Sequence, residues 1–209
     1  MPDNVFEIVW LVGFVVGSTV RAIYTHGRRR CSVTASRQGG LDTALTLLSG
    51  VGLFVIPLVY VFTSWFDFAD YGLSPIVSHA MGWTGALLFA GAVVLLWRSH
   101  VDLGRHWSPT VELREDHRLV TTGVYRRIRH PMYAAHWLWA VAQVLLLQNG
   151  VAGPALAVFF IPLYVLRVPR EETMLLERFG EAYRGYMERT GRVFPRRSRG
   201  RCASGDAEG

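Results

Sequence analysis

Two blocks of this sequence gather side chains able to bind a charged small molecule and orient a second one. The first runs His117-Arg118-Leu119-Val120-Thr121-Thr122-Gly123-Val124-Tyr125 and continues Arg126-Arg127-Ile128-Arg129-His130-Pro131-Met132-Tyr133. The second runs from Arg167 through Glu171 and Glu172 to Phe179-Gly180, Tyr183, Tyr186 and Pro195. A carboxylate such as Glu171 accepts hydrogen bonds from an ammonium or from hydroxyls, and the rings of Tyr125 and Tyr133 can wall a flat or cationic group. Pro131 suits the first turn of a helix and disfavours helical geometry at His130 before it. The N–H groups of that first turn lack helical partners, so with His130 they can meet an anion. Arg167 precedes Glu171 by four residues, about one helical turn, which lets an anion-orienting guanidinium and a carboxylate share one interface.

Each of these residues also has a purely structural use. Arg129 can mark topology or bind lipid headgroups, His130 can cap a helix, and Glu171 and Glu172 can complement a helix dipole. Arg167 alone is a snorkelling anchor, and Tyr183 and Tyr186 alone are packing or interfacial aromatics. Their joint order carries the functional reading. Metal chemistry is not expected: His100 and His106 are six apart, as are His130 and His136, and no cysteine pair has ligand spacing. A Gly-x-Gly-x-x-Gly nucleotide loop is missing.

The elements that must position these side chains are membrane spans. Hydrophobic residues make up 51% of the 209, more than an ordinary soluble domain carries, and charges are confined to blocks. Apolar stretches lie at Val5 to Val20, Ala44 to Phe62, Ile76 to Trp97, Met132 to Leu147 and Val151 to Val168. Crossing a ~30 Å hydrocarbon layer takes about 20 apolar residues. The second and third stretches meet this, the first carries Glu7, and the last two form a tight helical hairpin about Gln148, Asn149 and Gly150. The reading is an all-α integral membrane protein of about five transmembrane helices with a cytoplasmic cap and a C-terminal amphipathic helix. The cap is Arg98 to His130. The amphipathic helix is expected to begin after an interruption at Pro169 and run from Arg170 to about Arg189, with Leu175, Leu176, Phe179, Tyr183 and Tyr186 on one face.

All 22 basic residues are arginine: five between Arg21 and Arg37, seven between Arg98 and Arg129, and ten from Arg167 to Arg201. These fall in alternate loops, whereas Thr63 to Pro75 has Asp67 and Asp70 and no arginine. The positive-inside rule then puts the N-terminus outside and every arginine in the cytoplasm. The positive charge is explained by topology and attraction to anionic lipid, without nucleic acid. Val5 onward reads as a retained span rather than a cleaved signal, and a disulfide between Cys31 and Cys202 is not expected in the cytoplasm. Use of arginine to the exclusion of lysine suggests a GC-rich, bacterial source and hence a bacterial inner membrane. The chain divides into three N-terminal spans (1–97), a region holding two spans, the cap and the C-terminal helix (98–195), and a tail at 196–209 whose Arg, Gly and Ser content predicts disorder.

The two blocks resemble the isoprenylcysteine carboxyl methyltransferase and phospholipid methyltransferase superfamily of integral membrane enzymes. The His-x-Leu-Val, Gly-x-Tyr, Arg-His-Pro-x-Tyr, Glu-Glu-x-x-Leu, Phe-Gly and Tyr-x-x-Tyr elements occur in its order, from about Leu103 to Pro195, with Leu103-Gly104 and Trp107-Ser108 upstream. Val124 stands where the family often has proline, and Ala135 where glycine is common. The resemblance implies an S-adenosylmethionine site formed by His117, Leu119, Val120, Tyr125, His130 and Tyr133, with Pro131 and Met132 between them, Glu171 and Glu172 at its polar edge, and Arg167 facing the substrate. Arg129 is the second catalytic candidate. The reaction implied is direct methyl transfer to a lipophilic small-molecule or lipid-modified acceptor in contact with membrane lipids, an isoprenylcysteine carboxylate first among them. Phospholipid or small-thiol methylation is the alternative inside the superfamily. An NADPH-dependent sterol-type reductase and a non-enzymatic scaffold fit the motifs less well.

Overall fold

A computed structural model describes residues 5–26, 40–104 and 119–196, together with the backbone of 35–36 and 112–113. His117, Trp107, Ser108, both cysteines and the tail beyond residue 196 lie outside the described residues. The elements are α1 (Val5–His26), α2 (Gly40–Gly50), α3 (Ile56–Phe62), α4 (Pro75–Leu103), α5 (Pro131–Leu147), α6 (Ala155–Phe179) and α7 (Glu181–Arg189). A two-residue antiparallel pairing joins Ala35–Ser36 to Glu112–Leu113.

α2 and α3 form one long rod through Val51–Val55, a wider π-type turn in which the Ile56 N–H reaches back to the Val51 carbonyl. Pro57 explains a polar residue buried in the apolar interior. In that wide register its missing N–H would have served the Gly52 carbonyl. The fully buried Gln143 of α5 supplies a donor instead, with Nε2 at 3.3 Å from Gly52 O and 2.8 Å from Ala152 O.

Three segments, Val5–Tyr24, Gly40–Phe62 and Pro75–Leu103, are long and apolar enough to cross a membrane, while Pro131–Leu147 is a shorter apolar helix. α5 and α6 nevertheless reach the far end of the same bundle. Their connecting turn is bonded to the α3–α4 connection at the far end: Tyr71 N donates to Gln148 O at 2.8 Å and Gly150 N to Ala69 O at 2.8 Å. Asn149 ties the turn together, donating to Phe66 O at 2.7 Å and accepting from the N–H groups of Val151 and Ala152. α6 accordingly begins at Ala155, four residues later than the apolar run at Val151. The core is aromatic and small by turns: Trp10, Phe89, Leu96, Trp139, Leu146 and Phe160 interlock with Ala92, Ala135 and Ala142. Val12, Leu47, Leu87 and Val158 stay exposed on the outer faces, as a lipid-facing bundle requires.

Two sequence expectations change. Pro169 does not interrupt the helix: α6 runs unbroken from Ala155 to Phe179 through Pro162 and Pro169. Burial of Val168, Glu172 and Met174 on both sides of Pro169 outweighs a mid-helix proline cost of about 3 kcal/mol. The break comes at Gly180, whose φ of 53° and ψ of −127° only glycine adopts readily. The expected amphipathic stripe is thus shared between the end of α6, with Leu175, Leu176 and Phe179, and the nine-residue α7, which buries Tyr183 and Tyr186. α4 also continues without interruption past Trp97, so the two sequence halves share a helix.

Candidate active site

The arginine-rich end of the bundle is built around the first turn of α5 and the middle of α6. Pro131 stands at the start of α5, and His130 precedes it with φ −123° and ψ 60°, outside helical geometry as the proline dictates. On α6, Glu171 and Glu172 are neighbours about 100° apart around the axis; His130 lies near both, and their other partners differ.

Glu171 faces α5. Its Oε1 accepts from the Tyr133 hydroxyl at 2.7 Å and from Arg167 Nε at 3.0 Å, and its Oε2 lies 3.7 Å from His130 Nδ1. Its side chain keeps 21% of its surface accessible. The Tyr133 ring packs edge-on against His130 and Tyr164, with centroids 5.7 and 5.8 Å apart. Arg167 is held from its other side by Asp42 in the first turn of α2, Nη1 to Oδ2 3.7 Å. Arg167 and Glu171 lie in contact because α6 is continuous through Pro169.

Glu172 faces into the protein, with 5% of its side chain accessible. Arg129 Nε donates to Oε1 at 2.7 Å, Arg192 Nη2 donates to Oε2 at 2.6 Å, and His130 Nε2 lies 3.2 Å from Oε1. Burial alone would raise the Glu172 pKa, but the bonds from His130, Arg192 and Arg129 outweigh it and hold the carboxyl well below the usual range. Arg129 also donates from Nη1 to Thr190 O at 2.8 Å. The backbone follows, with Arg129 N bonded to Gly191 O and His130 N to Arg192 O, both at 2.9 Å. Glu172 therefore straps residues 189–192 onto the segment leading into α5.

Tyr125 is buried rather than open. Its hydroxyl donates to Ser99 O of α4 at 3.3 Å, its carbonyl accepts from Tyr186 at 2.7 Å, and burial pushes its pKa up. Gly123 before it has φ +58°, and the Asp102 carboxylate lies where a Cβ would sit and accepts from Val124 N at 2.8 Å. Leu119, Val120 and Met132 are half-buried near this end, whereas His117 is outside the described residues. Four contributors to this end carried no motif: Asp42, Asp102, Thr190 and Arg192. A cluster of arginines in the C-terminal segment was the one available signal for Arg192.

Residues 83–177 match the isoprenylcysteine carboxyl methyltransferase (ICMT) family. Over that segment, which is less than half of the chain, the sequence is similar to this family. The match begins within α4 and so leaves α1 to α3 outside, as the motifs did; it ends before the Phe-Gly and Tyr-x-x-Tyr elements. Among relatives, protein-S-isoprenylcysteine O-methyltransferase B of Arabidopsis thaliana is 28% identical over 182 residues, covering 86% of each chain. Protein-S-isoprenylcysteine O-methyltransferase A of the same plant is 32% identical over 120 residues, 57% of this chain and 55% of the relative. The human protein-S-isoprenylcysteine O-methyltransferase is 31% identical over 108 residues, 51% of this chain and 38% of the relative. A solved structure of a eukaryotic intramembrane Ras methyltransferase ICMT aligns with a TM-score of 0.49 and 22% identity, covering 90% of this chain and 62% of that one. The chain thus resembles integral membrane methyltransferases, a class whose methyl donor is S-adenosylmethionine.

The residues present fit that donor, which carries an ammonium, a carboxylate, a sulfonium and an adenine. Glu171 offers a carboxylate with an accessible edge, the first turn of α5 offers N–H groups, and Tyr133 offers a ring beside both.

Proposed function

We propose that the chain methylates the carboxylate of a prenylated cysteine at the cytoplasmic face of the membrane, with Glu171 holding the methyl donor and Arg167 the acceptor. The observation that carries this reading is the Arg167–Glu171 pair at 3.0 Å on one face of α6, with Tyr133 closing the same carboxylate from α5. When bound, S-adenosylmethionine supplies a methyl group already activated on sulfonium. Arg167 presents a planar fork of donors matched to a carboxylate, and its place at the end of the apolar part of α6 suits a substrate whose chain lies in the bilayer. Arg167 orients one acceptor oxygen for in-line attack, and a carboxylate gives up no proton. The site then needs position and dryness more than a base. His130, Pro131, Met132 and Tyr133 line the donor's polar side, with Leu119 and Val120 half-buried near the same end. Glu172 and Arg129, spent on each other and on the strap, act by holding this entrance to α5 in shape. Tyr125 supports it from behind.

The names of the relatives, all isoprenylcysteine O-methyltransferases, support the carboxylate acceptor over a phospholipid amine or a thiol. Purified protein supplied with methyl-labelled S-adenosylmethionine and, in parallel, a prenylcysteine, a phospholipid amine and a prenyl thiol separates these. The expected product is a base-labile methyl ester on the prenylcysteine alone; label in the lipid or thiol would redirect the reading. The arginine distribution supports the cytoplasmic orientation, and cysteine labelling at residues 33 and 70 tests it. Residue 70 should label from outside and residue 33 only after permeabilisation; the reverse pattern would invert the topology. A bacterial inner membrane is supported by the arginine-only composition alone.

A further inference from the structure

We infer that Asp42, in the first turn of α2 and outside the family-matched segment, is a positioning residue that sets Arg167 for the acceptor carboxylate. The inference rests on the reading of Arg167 given above. Asp42 is a charged residue placed where charge is costly: its side chain retains 8% of its surface, and its Oδ2 atom makes no hydrogen bond. The ionic neighbour the structure gives it is Arg167, Nη1 at 3.7 Å from that same oxygen. A separation of that size attracts without fixing a hydrogen-bonded geometry. Buried acids without full hydrogen bonding are poor stabilisers, so the pair is better explained by what it does to the guanidinium.

The consequence follows from the second acid. Arg167 and Glu171 are four residues apart on one continuous helix, with Nε already 3.0 Å from Oε1. With Asp42 neutral, the guanidinium loses the pull that opposes Glu171 and can turn further toward Glu171 Oε1. That turn would withdraw donors from an incoming acceptor. Asp42 pulls from the opposite side, from a different helix, and keeps the guanidinium between the two acids. The N-terminal half, which carries none of the family's motifs, thereby completes the acceptor site.

The test is a double-mutant cycle on the full chain in lipid nanodiscs, using a prenylcysteine as acceptor and Asp42→Asn, Arg167→Lys and the pair. Asp42→Asn is expected to raise the acceptor KM about tenfold while the S-adenosylmethionine Kd moves less than threefold. Asp42→Glu, which keeps the charge, should return the acceptor KM to within threefold of wild type. In the Arg167→Lys background Asp42→Asn should add less than a twofold further change, because the residues act as a unit. Additive effects, or an Asp42→Glu variant as impaired as Asp42→Asn, would overturn the inference. So would a loss confined to thermal stability with unchanged acceptor KM. If Asp42→Asn does not purify folded, Asp42→Ser takes its place in the same cycle. An Arg167→Lys single variant with unchanged acceptor KM would instead sink the role given to Arg167 itself.

Discussion

Glu171 and Glu172 are consecutive residues of α6, and apart from His130, which lies near both, they face different surroundings. Glu171 looks toward α5, shares one oxygen between a phenol and a guanidinium, and leaves an edge open. Glu172 looks toward the C-terminal strap, is closed on both oxygens by Arg129, His130 and Arg192, and leaves nothing for a ligand. Adjacent positions on a helix do not face one another, so a Glu-Glu pair can place one acid in a binding site and one in the frame around it. The open region can change partners during a reaction; the closed region keeps them from moving.

Breaking the frame should have the largest effect. Glu172→Leu leaves Arg129, with 11% of its side chain accessible, without its acidic partner, and removal of one member of a buried ion pair costs about 3 to 5 kcal/mol. Thermal unfolding in detergent should show a large fall in Tm, with proteolysis near residues 189–192 as an earlier sign that the strap has lifted. An unchanged Tm would mean the strap is held by its backbone bonds alone.

Next in size is Arg167→Lys, which keeps the charge and loses the fork. Acceptor KM should rise about tenfold, the equivalent of ~1.4 kcal/mol, with S-adenosylmethionine affinity little changed. Steady-state kinetics beside cofactor titration checks the split, and a loss of cofactor binding with acceptor KM preserved would exchange the roles of the two α6 residues.

Acid should weaken the frame by a smaller increment. The Glu172 carboxyl is held below its ordinary range in the folded protein, so its contribution is complete above the unfolded value of about 4.3 and is lost as pH falls through the folded one. Stability measured from pH 7 down to pH 3 should therefore fall more steeply in wild type than in Glu172→Gln, which has no such proton to take up. Parallel slopes would remove Glu172 from the acid response. Smallest is Tyr133→Phe, which deletes one donor to Glu171: a cost of about 0.5 to 1.5 kcal/mol in cofactor affinity is expected, read by titration, with the fold intact.

How much of this was legible in the sequence follows from range. The apolar runs and the alternation of arginine blocks are local patterns, and they located the bundle, its hairpin and its polar end. The four-residue spacing of Arg167 and Glu171, and proline directly after His130, are equally local and brought the site residues together. What sequence reading missed depends on contacts between distant segments. Asp42 is a single acid in the first turn of an apolar helix, with nothing nearby to mark its approach to a residue 125 positions later. Gln143 reads as a polar flaw in a span until the wide turn before Pro57 supplies its partner. The end of α6 was misplaced at Pro169 because a proline's cost is visible in sequence and the packing that offsets it is not. Tyr125 and Glu172, grouped with the cofactor by their motifs, have their polar atoms engaged within the protein, and only the geometry separates supporting residues from those with an open edge.

The division between the two acids can be measured directly by titrating S-adenosylmethionine into Glu171→Gln and Glu172→Gln side by side, with thermal unfolding of each. Glu171→Gln should lose a charge-assisted hydrogen bond, on the order of 1.5 to 3 kcal/mol or at least tenfold in affinity, at a Tm close to wild type. Glu172→Gln should instead lower the Tm markedly and weaken the cofactor less than Glu171→Gln does. A Glu171→Gln protein that binds S-adenosylmethionine as tightly as wild type would contradict the assignment of the open carboxylate to the methyl donor.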